Sequence, residues 1–344
     1  MTAFKQKLWF PFISLMVIIM AEGCKKDIYI DPAKEYNIPL TINYISNRPV
    51  PTVTINVNGV SRQVIFDTGS SGLRIVVGAA NPSLINAPTD TVSYTYGEAD
   101  QVKIKGRIVG GYFALEQTPG TSSVRFMVID SIGRVSDNGL AALSKSDVQS
   151  SYFDGFSGIM GVGLGYNGDG AASPIPQLPG NGKYIVEFPA FGGTHGNVII
   201  NPTDAELNGF TFVDVPKGNV TIPNGDDSWN DHAVRGMVKI NNVTLTNPVV
   251  LDTGTPQMNL VTDLLTVSPV SSGTVNYGVA NQEGPNILVQ NSFSIKNLVA
   301  SLDLIEVIQP TSNVKPISNL GTSVFFDYDV AYDQVNGKIG LRKK

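Results

Sequence analysis

The stretch Val64-Ile-Phe-Asp-Thr-Gly-Ser-Ser71 places three apolar residues directly before Asp-Thr-Gly-Ser. The apolar run is typical of a buried strand, and Gly69 lets the backbone turn tightly where the strand ends. Asp67 is therefore predicted to lie at the end of a buried strand, with small hydroxyl residues close behind it. One such tetrapeptide is weak evidence by itself, because Asp-Gly turns are common.

A second copy, Val249-Val-Leu-Asp-Thr-Gly-Thr255, repeats the same order of residue types a domain's length further along the chain. Each aspartate is approached in the same way, by a strand, a turn that contains Asn, and a return strand. The turns are Asn58-Gly59 before Asp67 and Asn241-Asn242 before Asp252. The repeat predicts two related β-rich lobes whose Asp-Thr-Gly turns face one another.

Length and composition favour a large β protein. A chain of 344 residues allows two domains of ordinary size. The 42% hydrophobic content against 15% charge is enough for a large core and excludes a disordered chain. Abundant glycine and proline favour turns and strands over long helices, and 141–149 is the stretch of the first half that we predict to be helical. The net charge of −5, without a basic stripe, argues against nucleic-acid binding.

Residues 1–24 have the layout of a secretory signal. Lys5 and Lys7 precede an apolar run from Leu8 to Met20 that is short for a membrane span. Cys24 is the only cysteine, so an intrachain disulfide is impossible, and its position after the apolar run resembles a bacterial lipobox. Alternatives are an ordinary signal with a chance cysteine and an uncleaved anchor. We expect lipid on Cys24 and an extracytoplasmic body attached to a bacterial envelope membrane.

A pair of facing aspartates indicates acid–base chemistry. Two carboxylates a few ångströms apart cannot easily both ionise, because like charges raise one pKa strongly. The pair therefore shares one proton over a wide pH range. One member can accept a proton from water while the other donates to a carbonyl oxygen, which is hydrolysis of an amide without a covalent intermediate.

The two Asp-Thr-Gly motifs resemble the active-site motifs of the pepsin family of aspartic proteases. Ile159-Met-Gly161 and Asn319-Leu-Gly321 are similar to the segments that pass through the family's two catalytic loops. Tyr96-Gly97 resembles the flap, and Phe325 to Leu341 resembles the C-terminal strands. The resemblance implies an all-β, bilobal pepsin-like acid protease fold, with two related β-barrel-like lobes and the active site in the cleft between them.

The resemblance also implies a domain layout. It covers residues 38–344, as an N-terminal lobe over 38–205 and a C-terminal lobe over 206–344. A polar tether over 25–37 connects these lobes to the signal segment. Because both motifs lie in one chain, a half-size dimeric enzyme is excluded and we expect a monomer.

The implied site residues follow from the motifs. Asp67 and Asp252 would hold the attacking water between them, and Tyr96 with Gly97 would close over an extended peptide or unfolded protein substrate. Thr68 and Thr253 would each form hydrogen bonds to the opposite loop. Gly69 and Gly254 would permit the tight turns. Ser70 and Thr255 would donate hydrogen bonds to the outer carboxylate oxygens. The expected activity is that of an aspartic endopeptidase with no cofactor and no metal.

Two residues depart from the family pattern, and a third is a rival for the flap. Arg74 stands where the family usually has a tryptophan that supports the flap tyrosine, and Tyr94 is a second candidate for the flap. Pro256 replaces a usual serine. The stretch Gly158 to Gly165 lacks the strand–Gly-x-Gly-x-x-Gly–helix context of a dinucleotide site, so it predicts tight backbone packing.

Other interpretations stay open at this stage. The aspartates could cap turns by bonding backbone amides. The chain could be an inactive member of the fold that binds peptide, protein or glycan. His195 is assigned to a glycine-rich loop. His232 lies in an Asp/Asn-rich loop that could suggest calcium but lacks the ligand spacing of an EF-hand. No Gly-x-Ser-x-Gly elbow marks a serine nucleophile.

Overall fold

The computed structural model describes residues 34–80, 91–97, 101–116, 118–136, 139–266, 269–270, 272–283, 287–295, 305–312 and 314–344. Nearly all regular structure in them is β. The signal segment, Cys24 and most of the tether lie outside the described residues, so those assignments stay predictions.

The first half contributes eleven strands to the described structure. Their bounds are β1 Tyr36–Ile45, β2 Arg48–Val57, β3 Val60–Asp67, β4 Ser71–Val76, β5 Thr91–Tyr96, β6 Val102–Leu115, β7 Thr121–Arg134, β8 Ala141–Ala142, β9 Gly158–Val162, β10 Lys183–Glu187 and β11 His195–Ile200. Short 3-10 turns lie at Val77–Ala79, Ser151–Phe153 and Ile175–Gln177.

The second half contributes shorter strands and one short helix, α1, at Ser323–Asp327. The strands are β12 Thr211–Asp214, β13 Lys217–Thr221, β14 Asp227–Trp229, β15 Gly236–Ile240, β16 Val243–Leu245, β17 Val249–Val250, β18 Met258–Val261, β19 Gly273–Val279, β20 Val289–Ile295, β21 Ile305–Ile308, β22 Ile317–Asn319, β23 Tyr328–Asp333 and β24 Lys338–Lys343. A 3-10 turn covers Asp231–Ala233.

One large sheet connects the two halves. Its order is β12-β24-β23-β10-β11-β1-β2-β3-β9-β4-β7-β6-β5, and β8 pairs with β7. Two four-stranded sheets, β16-β15-β19-β20 and β17-β22-β18-β21, and the ribbon β13-β14 complete the described β structure. Strands from both sides of residue 206 share the large sheet, because β23 pairs with β10. The lobe boundary at that residue stays a prediction.

The predicted Asn-containing turns are confirmed. Asn58 and Gly59 both have positive φ, at 49° and 84°, and close the β2–β3 hairpin between Val57 and Val60. Such turns match the right-handed twist of the strands they connect. Asn241, at φ 52°, and Asn242, which does not have a positive φ, close the β15–β16 hairpin between Ile240 and Val243. The hairpin of β5 and β6 is likewise confirmed.

The helix predicted over 141–149 is wrong. Ala141 and Ala142 pair with β7 as β8. The following residues form a turn, in which the Ser144 amide donates to Asp147 Oδ2 (2.6 Å) and the Asp147 amide donates to the Ser144 carbonyl (2.9 Å). Short Ser and Asp side chains offer the backbone such local alternatives to a helix. The C-terminal strands are confirmed as β23 and β24, but Phe325 lies in helix α1.

The core draws on strands from both halves. Phe66 and Leu251, the residues before the two aspartates, belong to the same buried apolar cluster. Tyr184 of β10 stacks on Tyr332 of β23 with ring centroids 4.8 Å apart, which packs the two halves together through buried aromatic surface. In the described part of the chain, no helix has the length and apolar character needed to span a membrane.

Candidate active site

The turn that carries Asp67 is threaded by a distant strand. β9 lies between β3 and β4, parallel to β3 with Gly161 opposite Asp67, and antiparallel to β4 with Gly161 opposite Gly72. A Cβ on Gly161 would lie 2.6 Å from Ser70 Oγ, so only glycine allows this passage. The segment 159–161 therefore crosses the Asp67 turn, as the sequence predicted.

The turn that carries Asp252 has the same construction. β22 runs parallel to β17 and antiparallel to β18, with Asn319 opposite both Val250 and Asn259. The Leu320 amide extends this contact by donating to the Val250 carbonyl (2.9 Å). Both predicted crossing segments are thus confirmed, and the internal repeat of the sequence is a repeat of structure.

Thr68 and Thr253 connect the two turns. The Thr68 amide donates to Thr253 Oγ1 and the Thr253 amide donates to Thr68 Oγ1, both at 3.0 Å. Each hydroxyl also donates to a backbone carbonyl that precedes the opposite aspartate. Thr68 Oγ1 donates to the Leu251 carbonyl (2.8 Å), and Thr253 Oγ1 donates to the Phe66 carbonyl (2.7 Å). The two turns are therefore held face to face by four buried hydrogen bonds.

The carboxyl groups of Asp67 and Asp252 lie within hydrogen-bonding contact of each other. Both are buried, with 4% and 7% of their surface exposed. A Cβ on Gly69 would overlap Asp252 Cγ, and a Cβ on Gly254 would lie 2.6 Å from Asp67 Oδ1. Neither glycine has a positive φ. The role of these glycines in a tight turn stays a prediction, and the structure adds a second reason for them, which is the close approach of the opposite carboxyl group.

Donors surround each carboxylate. The Gly69 amide donates to Asp67 Oδ1 (2.8 Å) and Ser70 Oγ donates to Asp67 Oδ2. On the other side, the Gly254 amide donates to Asp252 Oδ1 (2.7 Å) and Thr255 Oγ1 donates to Asp252 Oδ2 (2.8 Å). The structure thus brings the predicted supporting residues to the positions that the motifs implied.

Asn319 was missed as a site residue. Its Nδ2 donates to Asp252 Oδ2 (2.6 Å) and to Thr255 Oγ1 (3.3 Å), and its Oδ1 accepts from the Gly321 amide (3.0 Å). The sequence placed Asn319 at the start of a crossing segment, but an apolar residue there would have fitted the same pattern. The signal in the sequence was that a polar residue, Asn319, stands at a position where an apolar residue is expected.

The pKa of the Asp67 carboxyl lies well above its ordinary value. Burial is the largest cause, and the negative charge of Asp252 raises this pKa further. Hydrogen bonds from Ser70 and the Gly69 amide lower it, because they stabilise the carboxylate. A proton is therefore retained between the two aspartates at pH values where an exposed aspartate is ionised.

Both candidate flap tyrosines, Tyr94 and Tyr96, contact the side chain of Arg74. Tyr94 and Tyr96 face the same side of β5, with ring centroids 4.7 Å apart. Arg74 Cζ lies 3.7 Å from the centroid of the Tyr94 ring, and Arg74 Nη1 donates to the Tyr96 hydroxyl (3.3 Å). Gly97 has φ 82°, a conformation that favours glycine where the strand ends. Arg74 thus occupies the place of the expected tryptophan with a polar contact to Tyr96.

A cleft of about 530 Å³ opens beside the Asp67 turn. Ser70, Tyr94 and Tyr166 line it from the first half, and Asn219, Trp229 and His232 line it from the second. His232 Nε2 donates to the Gly69 carbonyl (2.8 Å), which places an imidazole two residues from a dyad aspartate. The sequence assigned His232 to an Asp/Asn-rich loop, and nothing local indicated this long-range contact.

The neighbour of His232 is a buried acid. Burial raises the pKa of Asp231, while the charge of His232 and the Gly165 amide, which donates to Asp231 Oδ2 (3.2 Å), lower it. His195, predicted in a loop, is the first residue of β11, and its Nδ1 is hydrogen-bonded to Thr194 Oγ1 (2.8 Å). Over the described ranges, no three His, Cys, Asp or Glu side chains cluster as a metal site requires.

Comparisons with known proteins bear on the fold. No protein-family model matches the sequence, and no curated protein matches it. Among solved structures, the chain is similar to an aspartic proteinase from Irpex lacteus, with a TM-score of 0.54 and 15% sequence identity. The match covers 90% of this chain and 98% of that one. The chain therefore has the all-β, bilobal pepsin-like fold.

Proposed function

We propose that the chain is an aspartic endopeptidase, which hydrolyses peptide bonds with water held between Asp67 and Asp252. The observation that supports this most directly is the contact between two buried carboxyl groups on equivalent turns, fixed by the reciprocal Thr68–Thr253 hydrogen bonds. A turn cap does not need two carboxyl groups in contact, whereas a shared proton between two carboxyls serves hydrolysis of an amide by water without a covalent intermediate.

The reaction uses the pair as a unit. Water lies between the carboxyl groups and loses a proton to the ionised one as its oxygen attacks the peptide carbonyl carbon. The protonated carboxyl donates to the carbonyl oxygen, which gives a neutral tetrahedral diol. The carboxyl that took the proton from water then gives it to the leaving nitrogen, while the other carboxyl takes a proton from a diol hydroxyl. The C–N bond breaks, the carbonyl re-forms as a carboxylic acid, and the pair again holds one proton. The macroscopic titration belongs to the pair and not to one residue.

The cleft beside the dyad supports a peptide substrate. It is lined by polar side chains and aromatic rings, and β5 lies at its edge with Tyr94 facing inward. An extended peptide can pair with exposed strand backbone while its side chains occupy the pockets on either side. The substrate class we propose is therefore an extended peptide or a segment of unfolded protein.

The test is cleavage of an unfolded protein and a peptide library by the full chain, between about pH 3 and 8. Asp67→Asn and Asp252→Asn should each abolish cleavage, and a statine-type inhibitor should block the wild type. Asp154→Asn is the matched control, because Asp154 makes a partly exposed ion pair with Arg48 (3.0 Å), and this variant should retain full activity. No cleavage by a folded wild-type chain would overturn the proposal in favour of an inactive binding protein.

We propose that Cys24 carries lipid and attaches the protein to a bacterial envelope membrane, with its body outside the cytoplasm. The support is the order of basic start, apolar run and cysteine in residues 1–24. Metabolic labelling with palmitate should mark the wild type and not Cys24→Ala. Equal label in the two proteins would contradict the anchor.

A further inference from the structure

Arg74 is the largest completely buried side chain among the described residues, and it is charged. A buried guanidinium is costly unless its donors are used. In Arg74, Nη1 and Nη2 have hydrogen-bond partners, while Nε has none. Its five N–H donors lie in one plane and point in fixed directions, so one arginine can hold several partners at defined angles. The partners of Arg74 come from three separate walls of the substrate cleft.

The first wall is the back of the Asp67 turn. Arg74 Nη1 donates to the carbonyls of Ser71 (2.6 Å) and Gly72 (3.1 Å), which follow the catalytic motif directly. The second wall is β5, whose Tyr94 ring stacks on the guanidinium and whose Tyr96 hydroxyl accepts from the same Nη1. Cation–π stacking and hydrogen bonding thus hold β5 over the dyad turn.

The third wall is the loop 165–170. Arg74 Nη2 donates to Asp169 Oδ2 (2.7 Å) in an ion pair whose side chains are 1% and 12% exposed. Asp169 Oδ1 accepts from the Ala171 amide (3.0 Å), and the Tyr166 hydroxyl accepts from the Gly170 amide (3.0 Å). Gly165 and Tyr166 line the cleft, so the ion pair fixes a surface that substrate would contact.

We propose that Arg74 is the positioning residue of the substrate cleft, where one guanidinium holds β5, the back of the Asp67 turn and the loop 165–170 in a single arrangement. This proposal rests on the proposed peptidase function for its effect on turnover. Arg74 does not touch the reacting atoms. Its effect is on how β5 and the loop 165–170 meet the peptide, so its removal should weaken substrate binding.

The first measurement is hydrogen–deuterium exchange of the full chain, which does not depend on cleavage. In Arg74→Gln, amides of 91–97 and of 165–170 should exchange at least about tenfold faster than in the wild type. Arg107→Gln is the matched control, because Arg107 lies in β6 of the same sheet and pairs with Asp130 (2.8 Å). That variant should leave both segments protected.

The variant Arg74→Lys tests whether the positive charge alone is enough, or whether the planar guanidinium is needed. A lysine can keep the ion pair with Asp169, but its ammonium group lacks the planar face that stacks on Tyr94 and the second nitrogen that donates to Tyr96. Residues 165–170 should therefore keep their protection while 91–97 lose it. Wild-type protection of 91–97 in Arg74→Lys, or in Arg74→Gln, would overturn the proposal.

The second measurement is the split between KM and kcat. Arg74→Gln should raise KM by about tenfold or more, since small misplacements of substrate-positioning groups have effects of this size. A purely structural role would lower the amount of active enzyme and leave KM unchanged, and that result would contradict the proposal. If Arg74→Gln does not fold, Tyr96→Phe and Asp169→Asn each remove one partner and should raise exchange in 91–97 and in 165–170, respectively.

The two proposals fail in distinguishable ways. A wild-type chain that never cleaves peptide contradicts the peptidase, while the exchange experiment still tests Arg74. Loss of cleavage in Asp67→Asn together with unchanged exchange and KM in Arg74→Gln would leave the peptidase intact and overturn the role of Arg74.

Discussion

Thr68 and Thr253 hold each other by two reciprocal hydrogen bonds of equal length, amide to hydroxyl in both directions at 3.0 Å. The residues lie in different halves of the chain, yet each completes the turn of the other. Because each hydroxyl also donates to a carbonyl of the opposite strand, the dyad cannot be assembled from one half alone.

Thr68→Val or Thr253→Val should destabilise the fold. Valine keeps the shape but takes away the hydroxyl that accepts from a buried amide of the opposite turn, and an unpaired buried amide costs about 1–3 kcal/mol. Chemical denaturation followed by tryptophan fluorescence measures the free energy of unfolding. Thr211→Val, at an exposed position of β12, is the control. Equal stability of Thr68→Val and this control would contradict the importance of the reciprocal bonds.

Gly254→Ala should remove activity because the added methyl group would displace the Asp67 carboxyl. The new Cβ would lie 2.6 Å from Asp67 Oδ1, while Gly254 does not have the positive φ that would strain an alanine. Displacing a catalytic carboxyl by about 1 Å costs about a hundredfold in rate. The measurement is kcat on a peptide substrate. Gly110→Ala, where a Cβ meets nothing within 4 Å, should keep normal turnover.

Asp67 should make stability fall as pH rises. Its folded-state pKa is raised by burial and by Asp252, so the native state binds more protons than the unfolded chain between the ordinary aspartate pKa and the raised one. In that window the free energy of unfolding decreases with pH, by about 1.4 kcal/mol in total for each unit by which the pKa is raised. Below the ordinary pKa the contribution is constant.

Asp67→Asn removes this titration, so the variant should gain stability relative to the wild type as pH increases through the window. Denaturation of both proteins at several pH values measures the difference. Asp154→Asn, which leaves Asp67 in place, should still lose stability as pH rises through the window. A constant difference between Asp67→Asn and the wild type at all pH values would show that the Asp67 pKa is not raised.

Asn319→Leu should lower turnover while the fold is kept. Leucine has a similar size but lacks both the Nδ2 donor to Asp252 Oδ2 and Thr255 Oγ1 and the Oδ1 acceptor of the Gly321 amide, so some loss of stability accompanies the loss of turnover. A hydrogen bond to a charged group contributes about 1.5–3 kcal/mol, which corresponds to about ten- to a hundredfold in kcat. Wild-type kcat in a folded Asn319→Leu would exclude Asn319 from the support of the dyad.

Much of this site could be predicted because short local sequence patterns specify many of its residues. The apolar strand before each Asp-Thr-Gly, the Asn turns of the approaching hairpins and the glycines of the crossing segments are all properties of neighbouring residues. The predicted helix over 141–149 failed at the same local level, since Ser144 and Asp147 satisfy backbone groups that a helix would use.

By itself, then, the sequence determined the β architecture, the two equivalent turns and the residue types that support them, because strand and turn preferences act between residues close in the chain. Only the tertiary structure decided that Gly69 and Gly254 make room for the opposite carboxyl, that Asn319 and His232 reach the dyad turns, and that Arg74 joins three walls of the cleft. These are contacts between residues far apart in sequence, which form only when the packed core brings the strands together.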